Sequence, residues 1–189
     1  MKKTLKMLGL LFVSATLMTC DALEKADDVT FHADIEIDFV ADENGEGADA
    51  PYSDVQLLDL TTNSEINDHI DKIKDIKIER ITYRIMNYDA APHHSAVMLT
   101  SGTASFGTFD SVIKAITGNF AASAAGVNLQ TTTAETDLDF DADQFNDIAE
   151  MLLDDHKIKV YSEGTLSQIP VAFTVRAKFY FEITADALK

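Results

Sequence analysis

The chain has 189 residues, enough for one domain with a substantial buried core. Its apolar fraction of 46% and a mean hydropathy close to zero exclude wholesale disorder. With 32 acidic against 15 basic side chains, nucleic acid and anionic headgroups are poor partners; divalent cations, basic partners or plain solubility suit the charge better.

Lys2, Lys3 and Lys6 precede an apolar run over residues 7–18 that is interrupted only by Gly9, Ser14 and Thr16. The run is shorter than the ~20 residues that a membrane span needs, and it suits the apolar part of a secretory signal. Cys20, the only cysteine of the chain, follows it, so no internal disulfide is possible after export. Leu17-Met18-Thr19-Cys20 resembles the lipobox of bacterial lipoprotein precursors, which carries an aliphatic residue three before the cysteine. The resemblance implies removal of residues 1–19 as a signal peptide, lipid on the Cys20 sulfur, and acylation, as with palmitate, of the new amino group. Two or three acyl chains then anchor the protein stably to a membrane of the cell envelope. The other possibility is cleavage after Val13-Ser14-Ala15, with Cys20 left as a stray thiol. Losing the leader removes three lysines and no acid, so the mature chain is more acidic still. Residues 20–28 form a polar tether. Asp21 resembles an inner-membrane retention signal in some bacteria and a surface-export signal in others, so inner membrane, outer membrane and cell surface all stay open.

The domain proper spans residues 29–189. Over residues 31–39, apolar and polar side chains alternate, as in a strand with one covered face. Gly45, Gly47 and Pro51 break residues 41–54 into an acidic loop. Thr62 and Glu65 have capping-box spacing, and Ile66, Ile70 and Ile73 recur at helical spacing, which predicts a helix over 63–74. A long strand follows over 76–87. Its apolar phase slips at Glu79-Arg80, as at a β-bulge. Residues 91–94 read as a turn and 96–105 as the partner strand of a hairpin. Residues 108–133 fit a short helix from Phe109 or a strand and loop equally. A short strand over 137–140 precedes a helix over 144–153, with Asp143 as N-cap and Phe145, Ile148, Ala149, Leu152 and Leu153 as its apolar stripe. A strand over 157–162 points Ile158 and Val160 inward. Last, Val171, Phe173, Val175, Ala177, Phe179, Phe181 and Ile183 alternate with polar or small residues, a pattern that suits a central strand with one covered face.

These elements predict a mainly β fold: an antiparallel β-sandwich with two short amphipathic helices, 63–74 and 144–153. The helix, strand and closing strand at the end of the chain are faintly similar to the water-stress and hypersensitive-response (LEA14-type) β-sandwiches.

The strongest constellation for chemistry is Asp139, Asp141, Asp143, Asp147 and Glu150. They occupy positions 1, 3, 5, 9 and 12 of an EF-hand-like loop, and calcium wants several oxygens from one loop. Gln144 stands where that loop needs glycine. The competing reading is a short strand with outward aspartates, then a capped helix whose dipole favours acids. Asp42, Asn44 and Glu46 match the same pattern more loosely, against a solvated acidic loop. His93-His94 read as turn residues, since neighbours in extended chain point apart, and His32, His69 and His156 show no fixed metal spacing. Ser111 and Lys114 match S-x-x-K without its companion motifs, so no nucleophile is indicated. Eleven Phe occupy mostly inward positions, and the absence of Trp weighs against a glycan platform. Tyr52, Tyr88, Tyr161 and Tyr180 suit either a sticky face or half-buried strand positions.

The sequence therefore predicts a lipid-anchored envelope protein with a non-enzymatic binding or structural domain. The alternative is a calcium-dependent binding module using residues 139–150, and an envelope hydrolase is the remote third. Expected partners are the membrane, through the lipid, and an unspecified protein or glycan of the envelope. Nucleic acid is not expected, nor is any cofactor apart from calcium.

Overall fold

A computed structural model describes residues 28–92, 96–110, 116–119 and 126–187. The leader with Cys20, the pair His93-His94, and Ser111 with Lys114 lie outside those residues.

The chain forms β1 (Asp28–Gly47), β2 (Ala50–Asp59), α1 (Ser64–Asp68), β3 (Ile73–Ala90), β4 (Met98–Thr108), β5 (Ile116–Asn119), β6 (Val127–Asn128), β7 (Thr136–Asp137), α2 (Ala142–Asp155), β8 (Lys157–Leu166) and β9 (Ile169–Asp186). The strands make two antiparallel sheets, in the orders β1-β9-β3-β7 and β2-β8-β4-β5, with β6 against β4. This is the mainly β sandwich that the alternating pattern predicts.

Side-chain period decides which way each strand faces. In β9 the seven apolar residues from Val171 to Ile183 are all 3% exposed or less, and the strand is central, flanked by β1 and β3. Ile35 and Phe39 of β1 and Ile81, Tyr83 and Ile85 of β3 join them. Ile158, Val160, Leu99 and Phe106 fill the core from the second sheet. Phe106 meets Phe179 edge-on across the layers at 6.2 Å between centroids, a favoured aromatic geometry. The phase slip in β3 is a bulge, because the ladder to β9 skips Glu79 between Ile78 and Arg80.

Several sequence expectations are corrected. Residues 41–54 are not a loop: β1 runs on to Gly47, and β2 starts at Ala50 after a tight turn in which Asp49 has φ 55°. Pro51 is tolerated there because β2 is an edge strand. Nor do β3 and β4 form a hairpin. They lie in different sheets, and β4 pairs with β8, because burying each strand's apolar face outweighs nearness in sequence. The helix over 63–74 shrinks to α1 and a 3-10 turn, Ile70–Lys72, because Ile73 already pairs with Ala185 in the first sheet. Its N-cap is Asn63, whose side chain accepts from the Glu65 and Ile66 amides; Thr62 is not the cap.

The second helix holds, slightly longer than predicted. Asp141 caps it, in place of Asp143, through a reciprocal box with Gln144. Ile148, Ala149 and Leu152 are buried beneath it, and His156 in the left-handed region (φ 57°) ends it. The His156 carbonyl then accepts from the Leu60 amide at 2.9 Å. Residues 108–133 contain the short strands β5 and β6.

Phe173→Ala and Phe179→Ala are each expected to destabilise the domain by about 3–5 kcal/mol, since both side chains are fully buried. Urea unfolding checks this, and a midpoint unchanged in both variants would sink the core assignment. Burial also raises the Tyr52 and Tyr83 phenols above their ordinary 10.0. With the folded value raised, their contribution to stability is complete below pH 10 and declines above it, where the unfolded chain ionises first. Melting temperature is therefore expected to fall on the alkaline side, and less steeply in Tyr52→Phe.

Candidate functional site: an acidic groove at one end of the first sheet

With one face of β1 and β9 committed to the core, the other must carry the polar residues. On β1 that face is Asp34, Glu36 and Asp38; on β9 it is Arg176, Lys178 and Tyr180. Register places Asp38 opposite Arg176 and Glu36 opposite Lys178. Arg176 donates from Nε and Nη2 to the two Asp38 oxygens at 2.6 and 2.7 Å, and its Nη1 stands 3.1 Å from Glu36. Lys178 lies 3.1 Å from Asp34 and 3.7 Å from Glu36. Arg80 of β3 stacks over the Tyr180 ring at 4.5 Å, and the Tyr180 hydroxyl donates to Glu135 at 2.9 Å. The middle of the sheet is thus electrically closed.

Toward the Gly47 end of β1, beyond Arg176, the described residues of β9 bring no further lysine or arginine to this face. Asp42 and Asp89 both pair with Ala172, one from each side of β9. The small Ala172 side chain leaves a depression between them, an open groove of about 330 Å³ that Glu43, Asn44 and Pro92 also line. Both aspartates are exposed, and among the described residues no ion pair reaches either carboxylate. They flank β9, so their backbones stand two strand spacings, roughly 9.5 Å, apart. A carboxylate on each side of the depression suits an extended chain bearing cationic side chains.

The sequence candidates fall elsewhere. Asp141 is the helix cap, and Asp143, Asp147 and Glu150 lie along the exposed surface of α2 at i, i+4 and i+7. Asp139 precedes them in an isolated bridge to Asn119. Because the chain is helical from Ala142, these five carboxylates are not wrapped by one EF-hand-like loop. Asp42, Asn44 and Glu46 likewise lie along the exposed face of a strand, with no loop around them. His32 is on β1, His69 packs its ring on Phe31 at the end of α1, and His156 ends α2. Tyr52 is in the core, Tyr180 on the first sheet and Tyr161 on the second, so the tyrosines form no common face. What sequence reading missed is the meeting of Asp42, Ala172 and Asp89. Alternation points Asp42 and Ala172 outward, but only strand order brings Asp89 beside them.

No protein-family model matches the chain, and neither does any curated protein. Among the described residues, no helix is long and apolar enough to cross a membrane.

Arg176 beside Asp38 holds that carboxyl below its ordinary 3.8, chiefly by hydrogen bonding and against the opposing effect of burial. With the folded value lowered, the pair's contribution is complete above about pH 4 and disappears as pH falls through the lowered value. Acid melts are expected to show a shallower pH dependence in Asp38→Asn than in the wild type. Superimposable curves would mean that the pair adds nothing.

Proposed function

We propose that the protein is a lipid-anchored envelope protein whose β-sandwich is a non-enzymatic binding domain, taking a basic segment of a partner protein in the groove between Asp42 and Asp89. The observation that carries this reading is the pair of carboxylates that, among the described residues, no ion pair reaches, next to the row of Asp34, Glu36 and Asp38 that Arg176 and Lys178 neutralise. Their placement supports it as well. A lipid on Cys20 would lead through residues 20–28 into β1 at Asp28, and β1 runs away from that point. From Asp28 to Asp42, at ~3.3 Å per residue, is roughly 45 Å, so the groove would face away from the anchoring membrane. An acidic surface is also repelled by anionic headgroups, which favours an outward-facing site.

Two measurements test the two halves. Intact mass and membrane partitioning after expression in a bacterium are expected to show loss of residues 1–19, added acyl mass and membrane association, all abolished by Cys20→Ser. A soluble, unacylated wild type defeats the anchor. Binding of a lysine-rich peptide at low salt is expected to weaken about three- to tenfold in the Asp42→Asn, Asp89→Asn double variant, and to weaken in the wild type as salt rises. Equal binding by both proteins defeats the groove.

A further inference from the structure

Closer to Asp28, the same outer face carries a second arrangement. His32 of β1 lies directly opposite Glu182 of β9. On the far side of β9, the bulge in β3 makes Glu79 an extra residue in the ladder. Ile78 and Ile81 stay in the core, and both Glu79 and Arg80 point outward. Without the bulge, two consecutive residues would face opposite sides of the sheet. The result is an imidazole and two carboxylates whose ligating atoms all lie within 4.8 Å of one another. His32 Nδ1 and Glu79 Oε2 are 3.3 Å apart.

We propose that His32, Glu79 and Glu182 form a zinc site. Two donors each ~2.0–2.1 Å from one zinc, at the tetrahedral angle, stand about 3.3–3.4 Å apart, which is the His32–Glu79 separation. Glu182 is the more distant donor, and the exposed, long side chains let it close. One nitrogen and two oxygens suit zinc and leave its fourth position to water. Calcium, which takes six to eight oxygens, is poorly served by this set, as is magnesium. The charge also fits. Lys77 Nζ is 3.3 Å from Glu182, so an ammonium compensates one of the glutamates where a divalent ion would neutralise both. Zinc therefore displaces Lys77. By joining β1, β9 and β3, it also raises the stability of the sheet through mass action.

The test is calorimetric titration of zinc chloride into the full chain carrying Cys20→Ser, His93→Ala and His94→Ala, which removes the lone thiol and the adjacent histidine pair and leaves only the single, separate His69 and His156 outside the site. One zinc per chain is expected, with a melting temperature that rises with zinc. His32→Ala and Glu79→Gln, both at exposed positions that leave the core intact, are expected to weaken binding at least about tenfold and to abolish the thermal shift. Lys77→Ala is expected to tighten it. Absence of saturable binding, or undiminished binding without His32 or Glu79, overturns the site. Unchanged or weaker binding in Lys77→Ala removes Glu182 from the ligand set and overturns the three-ligand arrangement.

Discussion

The structure depends on β9 being hydrogen-bonded on both sides while one of its faces is entirely buried. Its ladder to β1 runs from Asp186 to Ile169, with one irregularity after Val171, and its ladder to β3 covers nearly the same length. Seven apolar side chains from this one strand enter the core. A slip of one residue on either ladder would turn a neighbour's apolar face to water, so burial pins both registers at once. Every feature of the outer face inherits its position from that constraint.

The electrostatics follow directly. β1 brings a row of acids to the outer face and β9 answers with Arg176 and Lys178, so the register set by the core also places the opposite charges in contact. β1 is an edge strand, and its outward charges discourage pairing with another chain. Some of its edge groups are already occupied: the Val40 amide donates to Asp54, and the Asp34 carbonyl accepts from Asn63. Where β9 changes from Arg176 to Thr174 and Ala172, the acids beside it lose their partners and the surface sinks. The proposed binding groove thus lies where the compensation of the Asp34–Asp38 row by Arg176 and Lys178 ends.

The opposite half of the same face works differently. There the β3 bulge adds one residue, which leaves the core side of the ladder undisturbed and brings a second carboxylate to the His32–Glu182 row. One local irregularity in pairing therefore changes the chemistry of a surface without any change in the layers beneath it.

Much of this was legible in the sequence. Alternation over 171–183 identified β9 and its buried face, and the phase slip at Glu79-Arg80 marked the bulge. The stripe from Phe145 to Leu153 identified α2. These are local signals, since one residue's burial constrains the next two or four along the chain. The acidic stretch 139–150 was ambiguous in sequence because aspartates spaced by two serve a calcium loop, an outward strand face and a helix cap alike. Gly45, Gly47 and Pro51 suggested a loop because breakers carry no information about a neighbouring strand that continues the ladder.

The sequence by itself determined the class of fold, the inward residues of its clearest strands and the acidity of its surface, because these follow from side-chain period and composition. The tertiary structure alone decided that β4 joins β8 rather than β3, that Asp42 and Asp89 flank Ala172, and that Glu79 approaches His32. Each is a meeting of residues far apart in the chain. Such meetings are selected by burying several apolar faces together, a condition that no single segment carries.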